Sequence, residues 1–159
     1  MAASRVADER FIWHHRAMER IARCHCGDLQ VTCRGEPQKI SICHCLDCQR
    51  RTGSAFSVAV FYPRANVSIE GPPSGCFERS SASGHNVAFH FCKRCGSNVF
   101  WEARRMPDRL GVALGAFADP AFAIPVQSVF TDTKHHWLSL PDTIVQSGHQ
   151  SASGTKGSG

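Results

Sequence analysis

Short stretches of alternating apolar and polar side chains run through most of the chain. In "LQVTC" the alternation puts Leu29, Val31 and Cys33 on one face, and in "KISIC" it does the same for Ile40 and Ile42. The segment "FSVAVFY", residues 56–62, is rich in β-formers and stops at Pro63. "VSI", "NVAFHF", "NVFWE", "GVALG" and "SVF" read as further strands, separated by clusters of Gly, Pro, Ser and Asn. Gly35 and Pro37 fall between the first two stretches, which predicts a turn over 34–38 and a hairpin joining them. One helical turn is expected over Leu46 to Thr52, with Gly53 able to stop it. No repeat of fixed period interrupts this pattern. The expectation is one mainly β domain, with its cysteines at strand ends and turns.

The two ends read differently. Residues 1–21 form a leader in which Phe11, His14 or His15, Met18 and Ile21 fall near helical spacing. That suggests a short amphipathic helix, and an arm packing on a neighbouring chain has the same pattern. Residues 22–146 form the domain, and 147–159, "SGHQSASGTKGSG", read as a small, polar, flexible tail.

A chain of 159 residues suits one domain with a modest core. Its formal net charge of +5 is spread out, whereas a nucleic-acid footprint needs a concentrated basic stripe. No apolar run approaches the length of a membrane span. The N-terminus lacks the apolar core of a secretory signal, and Asp8, Glu9 and Glu19 argue against a transit peptide. A cytoplasmic, reducing setting is therefore expected, and there clustered cysteines are more often metal ligands than disulfides.

That inference matters because the chain carries nine cysteines, and seven of them are grouped. Cys24 and Cys26 lie in "CHCG", Cys43, Cys45 and Cys48 in "CHCLDC", and Cys92 and Cys95 in "CKRCG". Thiolates one or two residues apart can converge on one ion when a tight turn aims both sulfurs inward. A following glycine, here Gly27 and Gly96, lets the backbone take that turn. Cys-X-Cys is too short to bridge comfortably within itself, which weighs against a disulfide network. A redox Cys-X-X-Cys usually opens a helix, whereas β patterning resumes directly after Cys95, which favours a metal knuckle. Seven thiolates divide as four plus three: one closed, structural set made of two pairs, and one open set. Lys93 and Arg94 offset the negative charge of such thiolates.

Taken in order, "ARCHCGDLQVTCRGEP", "CHCLDCQRRTGSAF" and "FHFCKRCGSNVFW" resemble the glutathione-dependent formaldehyde-activating enzyme family, which also includes centromere protein V-like members. The resemblance covers about residues 22 to 144. It implies the β-tent fold, small antiparallel sheets organised around two zinc ions. It also implies a structural zinc on Cys24, Cys26, Cys92 and Cys95, and a second, catalytic zinc on Cys43, Cys45 and Cys48. The activity it implies is the joining of glutathione and formaldehyde into S-hydroxymethylglutathione, classed in reverse as carbon–sulfur lysis.

An open three-thiolate zinc suits this chemistry. It leaves a position for a small thiol, which it would hold as the nucleophilic thiolate beside an aldehyde. Polarisation of the aldehyde oxygen is the alternative route. Arg50 and Arg51 follow Cys48 closely, and one of them is a candidate for a substrate carboxylate. A solvated basic face is the plainer reading of the pair. Thr52, Gly53 and Ser54 can offer amides and hydroxyls to the same pocket. A fourth ligand from the chain would close the site, and the candidates are Cys76, His44, His85 and His90. Of these, His44 is expected to point away. Cys33 reads as a small core side chain. His14–His15 and His135–His136 are expected at the surface or in packing, because adjacent strand residues face opposite ways.

Phe56, Phe61, Phe89, Phe91, Phe100 and Trp101 are expected in the core and pocket wall. Phe89 stands where family members often carry an arginine, which bears on whether glutathione itself is the thiol. Expected partners are a small thiol and an aldehyde, with no nucleic acid and no membrane, in a monomer or homodimer. The competing reading is a non-catalytic, zinc-stabilised interaction module.

Overall fold

The computed structural model describes residues 18–81 and 84–149. Among them, β1 (Glu19–Arg23), β2 (Gln30–Arg34) and β5 (Val67–Glu70) form a three-stranded antiparallel sheet in the order β1-β2-β5. The larger sheet takes β3 (Lys39–Cys43), β4 (Ser57–Pro63), β6 (Gly75–Ser80), β7 (Asn86–Phe91), β8 (Asn98–Ala103), β9 (Arg109–Ala113), β10 (Gln127–Val129) and β11 (Val145–Ser147). Its order is β11-β10-β3-β4-β9-β8-β7-β6. The mainly β expectation holds, with a difference at one end, where β10 runs parallel to both β3 and β11. The helix α1 (Leu46–Thr52) follows β3 and ends at Gly53, which takes the left-handed conformation at φ 64°.

The expected hairpin between "LQVTC" and "KISIC" does not form. β2 pairs with β1 and β5, whereas β3 pairs with β4 and β10 in the other sheet. Gly35 turns the chain at φ 76°, its N–H bonding Met18 O, and the backbone then crosses to Phe61 O through the Gln38 N–H. The turn residues are therefore real, but they connect sheets rather than paired strands.

The helix expected toward Ile21 is also corrected over its last residues, because Glu19–Arg23 is strand β1. There Ala22 is buried between exposed Ile21 and Arg23, a two-residue period. The rest of that expectation, including His14 and His15, lies outside the described residues. β11 carries the sheet to Ser147, the first residue of the expected tail.

The two sheets bury their facing sides against each other. Ala22, Leu29, Val31 and Cys33 from the small sheet and its turn meet Val60, Tyr62, Val99, Leu110 and Val112 from the large one. Each full burial of a Val or Leu is worth about 1.5–3 kcal/mol, so this contact is a principal metal-independent source of stability. No helix of the described residues is long and apolar enough to cross a membrane.

Candidate metal centres and a neighbouring groove

Two turns build the first centre. After β1, the Cys24 N–H bonds Leu29 O and Gly27 closes on Cys24 O at φ 85°. After β7, the Cys92 N–H bonds Ser97 O and Gly96 closes on Cys92 O at φ 75°. Each positive φ is one that L side chains resist, so glycine permits both knuckles. The result brings Cys24, Cys26, Cys92 and Cys95 together with all four sulfurs within 4.8 Å of one another. Cys24 Sγ lies 3.5 Å from Cys26 Sγ, and Cys26 Sγ lies 3.6 Å from Cys92 Sγ.

Four thiolates tetrahedral about one zinc would sit roughly 3.8 Å apart, given Zn–S bonds of about 2.3 Å. The donor set therefore fits. The surroundings favour thiolate at Cys24 and Cys95, whereas Cys26 is pushed up by burial and its neighbouring thiols. The Leu29 N–H donates to Cys24 Sγ at 3.2 Å, while the Ser97 hydroxyl, 3.3 Å from Cys95 Sγ, helps pull that thiol down to about 5. Arg94 pairs with Asp28 at 3.2 Å beside the cluster.

The second centre is local. Cys43 ends β3, Cys45 caps α1, and Cys48 lies in the first turn of that helix, its N–H donating to Cys45 Sγ at 3.4 Å. These three sulfurs also lie within 4.8 Å of one another. Cys45 is held well below the usual thiol range, chiefly by the Cys43 and Cys48 thiols and then by helix amides. The same contacts push Cys43 up. Three thiolates this close repel one another, so their full ionisation requires a cation among them. Three soft donors fit zinc and leave it one ligand short of four.

None of the fourth-ligand candidates joins them. Among the described residues the group of metal-binding side chains is these three alone. His44 is fully buried and turned to Ser128, with Nε2 2.9 Å from its hydroxyl. His90 stacks on Phe100 and bonds Ser74 through Nδ1 at 3.1 Å. Cys76 faces His90 across the β6–β7 pair and is exposed, as is His85 in the adjoining turn. All nine cysteines are free of disulfides.

Arg51 is committed to the protein. Its guanidinium lies 4.6 Å from the Phe89 ring centroid and 4.9 Å from that of Trp101, it donates to Ser57 Oγ at 2.8 Å, and it bonds Asn98 Oδ1. Its Nε is buried, so an incoming ligand could reach only the remaining terminal N–H groups. Arg50 points to solvent, 3.9 Å from Asp47. Thr52 spends its hydroxyl on Cys48 O at 2.8 Å and accepts the Ser54 N–H.

A groove of about 1070 Å³ opens beside the four-thiol centre, and Cys43, Cys45 and Cys48 are not among its lining residues. Cys24, His25 and Ser97 line it at the four-thiol centre, and Arg51 and Thr52 from the last turn of α1, with Ser54 after it, line another part. Residues 113–116 and 118–120 complete its wall. Arg50 and Gly53 are not among its lining residues. Sequence reasoning did not single out Ser57 or Asn98. Neither carries a motif, and only the fold brings them to Arg51. Of the aromatic set, Phe100 and Trp101 are buried and Phe56 lines the groove, as expected of core and wall.

Comparison with known proteins gives three results. The model of the family described as glutathione-dependent formaldehyde-activating enzyme matches residues 19–133. No curated protein matches. Among solved structures, a Rhodobacter sphaeroides protein is similar at 18% identity over 80% of this chain and 98% of that one, with a TM-score of 0.48.

Proposed function

The chain belongs to the glutathione-dependent formaldehyde-activating enzyme family, and from that premise we propose that it joins a small thiol to formaldehyde or a related aldehyde. In the reverse direction the reaction is a carbon–sulfur lysis. The observation that carries the reading is the set of Cys43, Cys45 and Cys48, whose sulfurs converge with no fourth donor from the described residues. A zinc ion held there supplies a Lewis-acidic centre that lowers the pKa of a thiol toward neutrality.

The rest is the work of the chain. The new bond joins the thiol sulfur to the aldehyde carbon, and the proton lost by sulfur finishes on the aldehyde oxygen, so atoms balance with no further reactant. Arg51 lines the groove, and its guanidinium favours a substrate with an anionic end. Its stacking on Phe89 and Trp101 fixes the guanidinium before substrate arrives, which saves ordering entropy on binding. Arg50, in solvent, fits the plainer reading of a basic face. The four-thiol centre is structural in this proposal. Nine free thiols suit a reducing compartment such as the cytoplasm.

Metal content with a thiol titration tests this. The expected result is close to two zinc equivalents per chain, one of them perturbed by glutathione and lost in Cys48→Ala. Two equivalents indifferent to glutathione and to other small thiols would favour the interaction module instead.

A further inference from the structure

His44 lies between two of the three clustered thiols, so whatever fixes its backbone fixes the spacing of Cys43 and Cys45. It is held from every side. Its N–H donates to Val129 O at 3.1 Å, extending the parallel pairing of β3 with β10. Its ring is buried on Ser128. Its carbonyl accepts two donors, Gln49 Nε2 at 2.8 Å and Thr133 Oγ1 at 2.9 Å.

Gln49 is placed to do this because it follows Cys48 on α1. Its amide nitrogen also donates to Thr133 O at 3.0 Å, and its amide oxygen lies 3.0 Å from His135 Nε2. With two carbonyls facing the nitrogen, the amide can sit only one way round, and its oxygen then accepts from His135 Nε2–H. The loop carrying Thr133 leaves β10 through Phe130, a non-glycine residue at φ 56°. That conformation is costly for a bulky side chain and persists where the surroundings hold it. Here the Thr133 N–H bonds Phe130 O at 3.2 Å, while its single hydroxyl proton faces both Phe130 O at 3.1 Å and the nearer His44 O at 2.9 Å.

We propose that Gln49 and Thr133 form a latch that locks the backbone between Cys43 and Cys45, and so sets how tightly the three-thiol centre holds its metal. They are positioning residues: neither offers a ligand atom, and both act through the His44 carbonyl. The inference rests on reading Cys43, Cys45 and Cys48 as a metal site. Partners one shell beyond metal ligands change affinity about 10- to 100-fold when removed, so the latch has a measurable consequence apart from turnover.

The experiment follows Zn2+ release from the zinc-loaded protein into excess colorimetric chelator, with Cys48→Ala identifying the equivalent that belongs to the three-thiol centre. Gln49→Met keeps the length of the side chain and removes its amide. Thr133→Val removes the hydroxyl, and Thr133→Ser restores it. In Gln49→Met and Thr133→Val that equivalent should leave about 10-fold faster or more. Thr133→Ser should match the parent, and the four-thiol equivalent should leave at its parental rate in all three.

Unchanged release in Thr133→Val overturns the latch while leaving the metal reading intact. Equal acceleration of both equivalents also overturns it, since that reports general loosening. A parent protein that binds one equivalent only, unaffected by Cys48→Ala, removes the metal reading and the latch together. Should Gln49→Met fail to fold, the valine and serine variants still decide the matter.

Discussion

Arg51 exchanges water for two aromatic faces, whereas Arg50, one residue earlier, keeps a solvated guanidinium 3.9 Å from Asp47. Their energetics should differ accordingly. A guanidinium stacked away from water on aromatic rings is worth up to about 2 kcal/mol, and removing it also strands Asn98 Oδ1 and Ser57 Oγ. An exposed helical ion pair contributes about 0.5 kcal/mol at most. Arg51→Ala should therefore lower the urea-unfolding free energy by roughly 2 kcal/mol, and Arg50→Ala should leave it within about 0.5 kcal/mol. Thiol affinity measured on the same variants should fall for Arg51→Ala alone. Equal effects of the two on stability would mean that the stacking contributes little. Phe89 gains a physical role here: a second cation at that position would repel Arg51, whereas a neutral ring seats it.

The rings that seat Arg51 depend on a neighbouring strand. Phe77, Phe89, Trp101 and Gly111 lie in register across β6, β7, β8 and β9. The Trp101 ring fills the place where a side chain at Gly111 would stand: a Cβ there would come within 2.5 Å of it. Gly111→Ala forces the indole aside, an overpacking change that costs about 1–3 kcal/mol. It should also loosen Arg51, so circular dichroism in the near ultraviolet should change together with the unfolding midpoint. A variant as stable as the parent, with an unaltered aromatic signal, would contradict this arrangement.

Such cross-strand relations mark the limit of what the chain discloses by itself. β3 and β7 were legible to the residue, and α1 likewise, because alternation and a stop at Gly53 are local signals. The three-thiol centre and each half of the four-thiol one were legible for the same reason, since ligand spacing and turn glycines sit within a few residues; that the two halves, 66 residues apart, meet was implied by the family resemblance. Strand partners are not local. The turn at Gly35 and Pro37 looks the same whether it closes a hairpin or carries the chain to another sheet. β1, β6 and β11 escaped notice because "ERIAR", "GCFERS" and "VQS" carry few apolar positions. Arg51 could be flagged by its distance from Cys48, but nothing near it in sequence announces Phe89 and Trp101.

At the scale of the whole molecule the two cysteine centres, once loaded with metal, would do different mechanical work. The four-thiol centre joins the turn after β1 in the small sheet to the turn after β7 in the large one, and Cys26 and Cys92 are 66 residues apart. The three-thiol centre ties Cys43 to Cys48, within a strand end and the helix it feeds. Closing a loop removes unfolded-state entropy in proportion to the logarithm of its length. By cross-link arithmetic the long loop is worth about 4 kcal/mol and the short one about 2 kcal/mol. The long clip also keeps Leu29, Val31 and Cys33 pressed on the large sheet, so its loss exposes core as well.

Cys92→Ser should therefore lower the melting temperature of the zinc-loaded protein far more than Cys48→Ser. It should broaden the transition too, as the two sheets lose their common anchor. Cys48→Ser should melt cooperatively a few degrees below the parent, retaining one zinc equivalent. Chelation of the parent should follow the same order, the three-thiol centre emptying first with the fold intact and unfolding beginning only when the second equivalent leaves. The reverse order, with unfolding before any loss from the three-thiol centre, would mean that the local site carries the sheets. The fold gives it no lever to do so, because its three cysteines span only the end of β3 and the first turn of α1.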